Sequence, residues 1–360
     1  MKLIKNITTA IAFLCASYLI AQETEPTTET TTTAGAHNHT RPDVHAPIGV
    51  MGDHTHKKGE LMFSYRYMAM DMDGMLNGSD DISTANVLNE GGFMVTPTEM
   101  TMQMHMLGAM YAPSDRVTLM FMTSYKANNM DLVVIPTSVN FSTKATGIGD
   151  SKIGALISLV DKNNHKVHAN VGLSIPTGSI DNRDDIPVLN DALLAYPMQT
   201  GTGTWDPSMG LTYTSHKGLF GWGAQTMFTF PVGNNDENYS LGEKAEATAW
   251  ASILAADFVS FSTRLKYTRT GSIQGAADDL TTPFVAPNGN NIILANLMPV
   301  FNTENSGRSQ LDLSFGSNLL IKPVSGLRVG LEVGLPVYQD VNGIQMKNKV
   351  MGTIGVQYAL

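Results

Sequence analysis

The chain has almost no cysteine. Its single cysteine, Cys15, lies in a predicted export signal, residues 1–21, in which Lys2 and Lys5 precede the apolar run 11–20. Once this signal is removed, the mature chain has no thiol. That absence excludes disulfides, cysteine-ligated zinc and a cysteine nucleophile.

Charge and long apolar runs are also scarce. Charged residues make up 15% of the chain, against roughly 25% in soluble domains. Beyond the signal, no run approaches the ~18 apolar residues of a membrane helix. Removing the two positive charges of Lys2 and Lys5 takes the net charge from −9 to −11, which excludes nucleic acid as a partner.

A polar segment follows the signal. Residues 22–46 read QETEPTTETTTTAGAHNHTRPDVHA, which is rich in Thr, Glu and His. This composition cannot bury enough apolar surface to fold, so the segment is predicted to be a disordered periplasmic tether. The remaining residues, 47–360, are predicted to form one domain.

Apolar and polar residues alternate with period two along this domain, which predicts an all-β, antiparallel transmembrane barrel. Phe261 and Leu265, for example, share one face of their segment, and Arg264 lies on the other. Each segment has about the 9–11 residues that a tilted strand needs to cross a bilayer. The sequence predicts about twelve strands, at 60–70, 98–112, 116–126, 149–160, 166–176, 207–216, 219–230, 244–256, 258–269, 309–321, 326–337 and 348–360.

The predicted connections alternate in length. The short ones include 112–115, 161–164 and 217–218, and the long ones are 71–97, 127–148, 177–206, 231–243, 270–308 and 338–347. Short periplasmic turns alternating with long external loops are typical of bacterial outer-membrane barrels, whereas a β-sandwich has no reason to sort its loops in this way.

The last predicted strand carries one apolar face to the end of the chain. This face consists of Val350, Ile354, Val356, Tyr358 and Leu360. An apolar-aromatic final strand resembles the signal that the barrel-assembly machinery reads. The expected location is therefore the cell outer membrane, and the expected partners are that machinery, membrane lipid and lipopolysaccharide.

Three motifs within residues 146–215 are similar to those of a known family. TGIGD at 146–150 opens a predicted strand, GLSIPTGS at 172–179 closes the next, and QTGTGTWDP at 199–207 enters the one after. This series resembles the outer-membrane barrels named after the meta-cleavage pathway of phenol degradation. The resemblance implies a transporter of small, often hydrophobic molecules and brings no catalytic residues. The Met- and His-rich N-terminal half sets the chain apart as a subgroup.

Methionine is concentrated in one region. Of 22 methionines, 15 lie between Met51 and Met130, and five of the nine histidines (37, 39, 45, 54 and 56) lie before or among them. Thioether and imidazole are ligands that suit copper, and thioether favours Cu(I). The sequence therefore makes copper the candidate cofactor, although it requires none.

Alternation assigns these side chains to faces. Met62, Met68, Met70, Met120 and Met122 are predicted to point inward. On the second strand, Met100, Met102, Met104, Met106 and Met110 are predicted to face lipid, and His105 to face the lumen. His105 and the five inward methionines form a predicted soft-metal patch, for which apolar filling of a narrow barrel is the alternative. His54 and His56 form a separate predicted metal-binding pair.

The same parity predicts that eight charged side chains line the lumen, namely Arg66, Lys152, Glu246, Arg264, Lys266, Asp312, Arg328 and Glu332. Such a mixed set fits either a polar channel or a plug that is held by ion pairs.

The predicted function is an outer-membrane channel or transporter for small solutes, for which hydrophobic compounds or a link to soft metals are the candidates. A structural barrel with a plugged lumen and a copper-binding outer-membrane protein are the alternatives. An enzyme is not expected, because the strand histidines His105, His168 and His216 have no nucleophile motif beside them.

Overall fold

A computed structural model describes residues 41–286, 289–322 and 324–360. The predicted signal peptide and residues 22–40 of the predicted tether lie outside these ranges. In chain order the wall strands are β1 (Leu61–Asn77), β2 (Val95–Ser114), β3 (Val117–Val134), β4 (Val139–Ile148 and Ser151–Lys162), β5 (His165–Ile175), β6 (Asp206–Lys217), β7 (Phe220–Thr229), β8 (Lys244–Ala256), β9 (Val259–Thr270), β10 (Arg308–Leu320), β11 (Leu327–Val341) and β12 (Ile344–Ala359).

These strands form a closed ring. Each pairs antiparallel with the next, and β1 pairs with both β2 and β12, as in the registers Phe63↔Ala109 and Phe63↔Tyr358. The amide of Leu360 donates to the carbonyl of Leu61 at 2.8 Å, so the last residue closes the seam. Closure satisfies the strand edges, which a sheet in hydrocarbon cannot leave unpaired. The predicted twelve-stranded antiparallel barrel is confirmed.

Connections differ between the two ends of the barrel. At the turn end they are 115–116, 163–164, 218–219, 257–258 and 321–326; at the loop end, residues 78–94, 176–205, 230–243 and 271–307 form long loops. Two predicted long loops, 127–148 and 338–347, are wrong. There the strands run on beyond the bilayer and are joined by residues 135–138 and 342–343, because polar side chains on a paired ribbon are compatible with strand structure in water.

The exterior face is apolar. Phe261 and Leu265 are 54% and 49% exposed, whereas Arg264, one residue before Leu265, is 7% exposed. The same contrast recurs on β11 between Leu331 and Glu332. Apolar side chains therefore form the outer surface, as lipid requires, and charged side chains face inward. Among the described residues, no helix is long and apolar enough to cross a membrane.

The long loops fold over the loop end of the barrel. They contain helices α1 (Thr84–Gly91) and α2 (Asp278–Thr281), short strands at Asp80–Ile82, Arg183–Ile186, Leu189–Leu193, Tyr239–Ser240, Gln274–Gly275, Phe284–Val285 and Asn291–Ile292, and 3-10 turns at Tyr196–Met198, Leu294–Asn296, Pro299–Phe301 and Thr303–Asn305. Their buried apolar side chains, which we call the loop cap, are Val87, Leu194, Tyr196, Met198, Tyr239, Leu280, Leu294, Met298 and Phe301. This core packs on Met100 and Met130 of the barrel wall.

Residues 41–58 lead from the turn end into the barrel and back to it, and we call them the lumen plug. They contain one 3-10 turn, Pro42–Val44, which contacts β6 to β10. Residues 41–46 are thus an ordered part of the barrel interior rather than the end of a disordered tether, because side chains of the wall pair with their backbone carbonyls.

Candidate functional site

The methionines of β2 face the lumen. Met100, Met106 and Met110 are buried, whereas Leu107 and Tyr111 are 59% and 48% exposed on the outer surface. The predicted faces of β2 are therefore wrong, and all five methionines that were assigned to lipid point inward. His105 points outward, so it cannot belong to a lumenal metal patch.

The outward position of His105 has a local explanation. Its Nδ1 lies 2.8 Å from the Tyr65 hydroxyl, and its ring lies 5.0 Å from that of Tyr67. Further toward the loop end the outer face becomes polar, with Thr101 donating to Asp71 at 3.2 Å. His105 thus lies among the aromatic side chains that mark the edge of the apolar belt, where a polar ring reaches water.

Inward-facing methionines cover β1, β2 and β3. We call this set the methionine wall; it consists of Met62, Met68, Met70, Met72, Met100, Met102, Met104, Met106, Met110, Met120, Met122 and Met130. Its members meet in cross-strand rows, where opposed side chains have Cβ atoms about 4.5–5.5 Å apart. One row joins Met62, Met110 and Met120, and another joins Met72, Met100 and Met130.

The methionine wall borders the lumen plug. A pocket between them is lined by Met62, Met110, Met120 and Met122 on the wall side and by Asp53 on the plug side. A thioether donates electron density but no proton, so this surface suits soft cations and apolar groups. The first and third strands supply Met62, Met120 and Met122 as predicted, and β2 supplies Met110, which parity had placed on the opposite face.

The remaining predicted metal residues are spread along the wall. Met68 lies beside Met104, and Met70 lies beside Met102, both toward the loop end. On the other side of β1, Met70 pairs with Met351 of β12. The structure therefore extends the predicted patch of five methionines to twelve on three strands, with Arg66, Ser124 and Asn128 among them.

The side of the lumen formed by β8 to β11 is charged and carries six of the eight predicted lumen-lining residues, whereas Arg66 and Lys152 lie on the methionine side. Two of its ion pairs join predicted lumen-lining residues, Arg264 with Glu332 and Lys266 with Asp312, the second at 3.7 Å. The other predicted residues are placed as follows: Glu246 pairs with Lys244 at 3.0 Å, Arg328 bonds to Gln357, Arg66 lines the methionine pocket, and Lys152 lies opposite Met122 and Ser174.

Neutral side chains on several strands hold the lumen plug. The side-chain Nδ2 of Asn318 donates to the backbone carbonyls of Pro42, His45 and Ala46, at 3.4, 3.3 and 3.2 Å respectively. Gln225 donates to the carbonyl of Met51 at 2.9 Å. Sequence reasoning missed these residues because an isolated inward amide resembles any other polar lumenal side chain.

Further contacts fix the middle of the plug. Asn170 donates to the carbonyl of Gly52 at 3.1 Å, and the ring of His168 lies 2.8 Å from the same oxygen. Ile48 occupies the space above Gly330 and Gly355, where a side chain on either glycine would collide with it. The plug therefore fits a groove that the wall glycines leave open.

Both predicted metal histidines of the plug are in the lumen. His54 lies beside Asp53, with 2.9 Å between Nδ1 and Oδ1, and His56 is buried against Glu60. Burial disfavours the charged form of Asp53, whereas the contact with His54 and the positive charge of Arg328 hold the pKa of this carboxyl well below its usual range.

The three sequence motifs meet at the loop end of the wall. The carboxylate of Asp150 accepts from the amides of Gly178 at 3.0 Å and Thr202 at 2.8 Å. Gly178 and Gly201 approach so closely that a side chain on either would strike the other's backbone. The motifs thus tie β4 to the loop between β5 and β6. The close approach of the two backbones explains why positions 178 and 201 carry glycine.

Comparison with known proteins shows the fold. No family model matches the chain, and no curated protein sequence matches it. The chain is similar to the crystal structure of an outer membrane channel from Pseudomonas putida F1, with a TM-score of 0.58 and 14% identity over 87% of this chain and 100% of that chain. It also matches the transport unit of the autotransporter AIDA-I from Escherichia coli, with a TM-score of 0.47 and 11% identity over 86% and 93% of the two chains.

The first likeness, together with the closed sheet, identifies an outer-membrane β-barrel fold, and the apolar exterior places the chain in that membrane. The resemblance to the meta-pathway family remains a prediction.

Proposed function

We propose that this barrel is an outer-membrane channel that passes soft monovalent metal ions, Cu(I) or Ag(I), along its methionine wall. The observation that carries this proposal is the inward orientation of twelve methionines on three adjacent strands. Thioethers bind soft cations while leaving hard ions hydrated, and many equivalent weak sites let an ion move from one to the next.

Passage requires that the lumen plug move aside. In the described conformation, residues 41–58 cross the turn end and the loop cap covers the other end. Asn318, Gln225 and Asn170 hold the plug through hydrogen bonds to its backbone, each worth about 0.5–1.5 kcal/mol. These polar contacts can be exchanged for water, but displacement of the plug must also expose the buried side chains of Ile48 and Val50.

The test compares silver and potassium in vesicles that contain the refolded mature protein. Silver entry is measured by elemental analysis of washed vesicles, and potassium current by planar-bilayer recording. The triple variant Met62→Leu, Met110→Leu and Met120→Leu removes one thioether row but keeps it apolar. We expect about tenfold slower silver entry, corresponding to a barrier about 1.4 kcal/mol higher, with the potassium current unchanged. Met209→Leu, on the outer surface of β6, is the matched control.

Unchanged silver entry in the triple variant would overturn the soft-metal proposal. If that variant retained entry of small aromatic molecules as well, a hydrophobic solute would be favoured, since leucine preserves the apolar surface.

A plugged structural barrel is the second candidate, because the plug occupies the lumen and the loop cap covers the loop end. It predicts neither silver entry nor potassium current in the wild-type protein, an outcome that would also reject the channel.

A further inference from the structure

A second group of metal-ligand side chains lies within the lumen plug itself. His45, Asp53 and His54 each offer one ligand atom, and the three atoms all lie within 4.8 Å of one another. His45 and Asp53 are 8% and 3% exposed. Imidazole and carboxylate are harder ligands than the thioethers of the methionine wall, so this group selects a different class of ion.

The plug backbone brings these side chains together. Residues 46–52 form a loop that leads away from His45 and returns to Asp53, and the amide of Ala46 donates to Oδ2 of Asp53 at 3.1 Å. The rings of His45 and His54 lie 5.0 Å apart at an interplanar angle of 79°, and the ring of His56 lies 4.9 Å from that of His54. Ligand side chains from both limbs of the loop are therefore close together without an ion.

We infer that His45, Asp53 and His54 bind one divalent ion of the Zn²⁺ or Cu²⁺ type, which cross-links the two limbs of the lumen plug. Ligand atoms at about 2.0–2.2 Å from a tetrahedral ion lie roughly 3.4 Å from one another. A pair at the 4.8 Å limit must therefore close by about 1.4 Å, which requires rotation of the His45 or His54 side chain. His56 is the nearest further imidazole.

Two nearby guanidinium groups limit the affinity of this site for a cation. Arg328 lines the same pocket as His45 and His54, and Arg66 lines the neighbouring pocket with Asp53. Both positive charges oppose a cation, so affinity is expected to be lower than in a carboxylate-rich site. Binding here is independent of whichever solute crosses the barrel.

The experiment titrates Zn²⁺ and Cu²⁺ separately into the refolded mature protein in detergent. Calorimetry gives the stoichiometry and affinity, and the electron paramagnetic resonance spectrum of the Cu²⁺ form reports nitrogen ligands. We expect one saturable ion with imidazole nitrogens in the wild-type spectrum. His45→Ala with His54→Ala should weaken binding by at least about tenfold, or 1.4 kcal/mol, and remove those nitrogen couplings.

Two matched controls make the outcome decisive. His37→Ala with His39→Ala removes the two histidines of the tail and should leave the affinity unchanged, as should His165→Ala at the turn end. Retained electrophoretic heat-modifiability shows that each variant is a folded barrel. Asp53→Asn keeps an oxygen that can accept from Ala46, so it should weaken binding while leaving the apo protein folded.

A wild-type spectrum without nitrogen coupling would overturn the inference, even if a variant failed to fold. The inference would also be overturned if affinity fell in the His37→Ala, His39→Ala variant but not in the His45→Ala, His54→Ala variant.

Discussion

The two sides of the lumen differ in chemistry although the same alternation builds both. On β9 and β11, apolar side chains face outward and ionised ones face inward, as with Leu265 against Arg264. On β2, apolar side chains lie on both faces, since Met106 points inward and Leu107 outward. The alternation of apolar and polar residues therefore reveals which side chains face the lumen only on strands whose inward side chains are charged.

Substitutions on the charged side of the lumen should lower the free energy of unfolding more than those on the methionine side. Glu332→Gln would leave the buried guanidinium of Arg264 without its anion, and we expect the free energy of unfolding to fall by about 3–5 kcal/mol. Urea unfolding in lipid vesicles measures it. The control is Asp81→Asn in the exposed pair with Lys347, which should cost about 0–1 kcal/mol. Equal losses of stability in Glu332→Gln and Asp81→Asn would contradict the expected difference between a buried and an exposed ion pair.

The methionine side should tolerate a change of chemistry but not of volume. Met130 is 1% exposed, so Met130→Ala should lower the free energy of unfolding by about 2–5 kcal/mol. Met130→Leu, which nearly conserves the volume, should cost less than about 1.5 kcal/mol. The same unfolding assay measures both variants. A leucine variant as unstable as the alanine variant would mean that the sulfur itself is required for stability.

The contacts of the plug with the charged side can be tested through Asn318. Asn318→Ala removes three hydrogen bonds to the plug backbone, and amide hydrogen exchange over residues 41–50 should become about tenfold faster. Asn342→Ala, at the loop end, is the control and should not alter exchange there. An unaltered rate in Asn318→Ala would show that other contacts hold the plug.

The smallest effect is expected at His105. Since this ring lies on the outer surface beside Tyr65, His105→Phe should change the free energy of unfolding by within about 0.5 kcal/mol. It should also leave silver binding unchanged, as measured by equilibrium dialysis. Loss of silver binding in His105→Phe would indicate that His105 faces the lumen and contradict its outward orientation.

Much of the fold could be predicted because one constraint acts on every strand. Closure in hydrocarbon demands an apolar exterior, and side chains such as Arg264, Asp312 and Glu332 reveal which parity is inward. The barrel and its strand count follow from that rule. Loops were wrongly predicted at 127–148 and 338–347, where the strands continue, because strand segments outside lipid need no alternating apolar face.

The faces of β2 could not be assigned because both are compatible with lipid by composition. Methionine packs equally well against acyl chains and in a lumen, and His105 is tolerated at the membrane edge by its tyrosine neighbours. The lumen plug was missed for a different reason. Its contacts are long-range, as from Asn318 to Ala46, and leave no periodic pattern in residues 41–58.

The orientation of β2 is the central claim, and paramagnetic accessibility at neighbouring positions tests it most directly. Met106→Cys and Leu107→Cys each introduce one thiol for a spin label, since Cys15 lies in the predicted signal. In lipid vesicles, the label at position 107 should be relaxed strongly by dissolved oxygen, and the label at position 106 should be shielded from it. Strong oxygen relaxation at 106 with shielding at 107 would contradict the methionine wall.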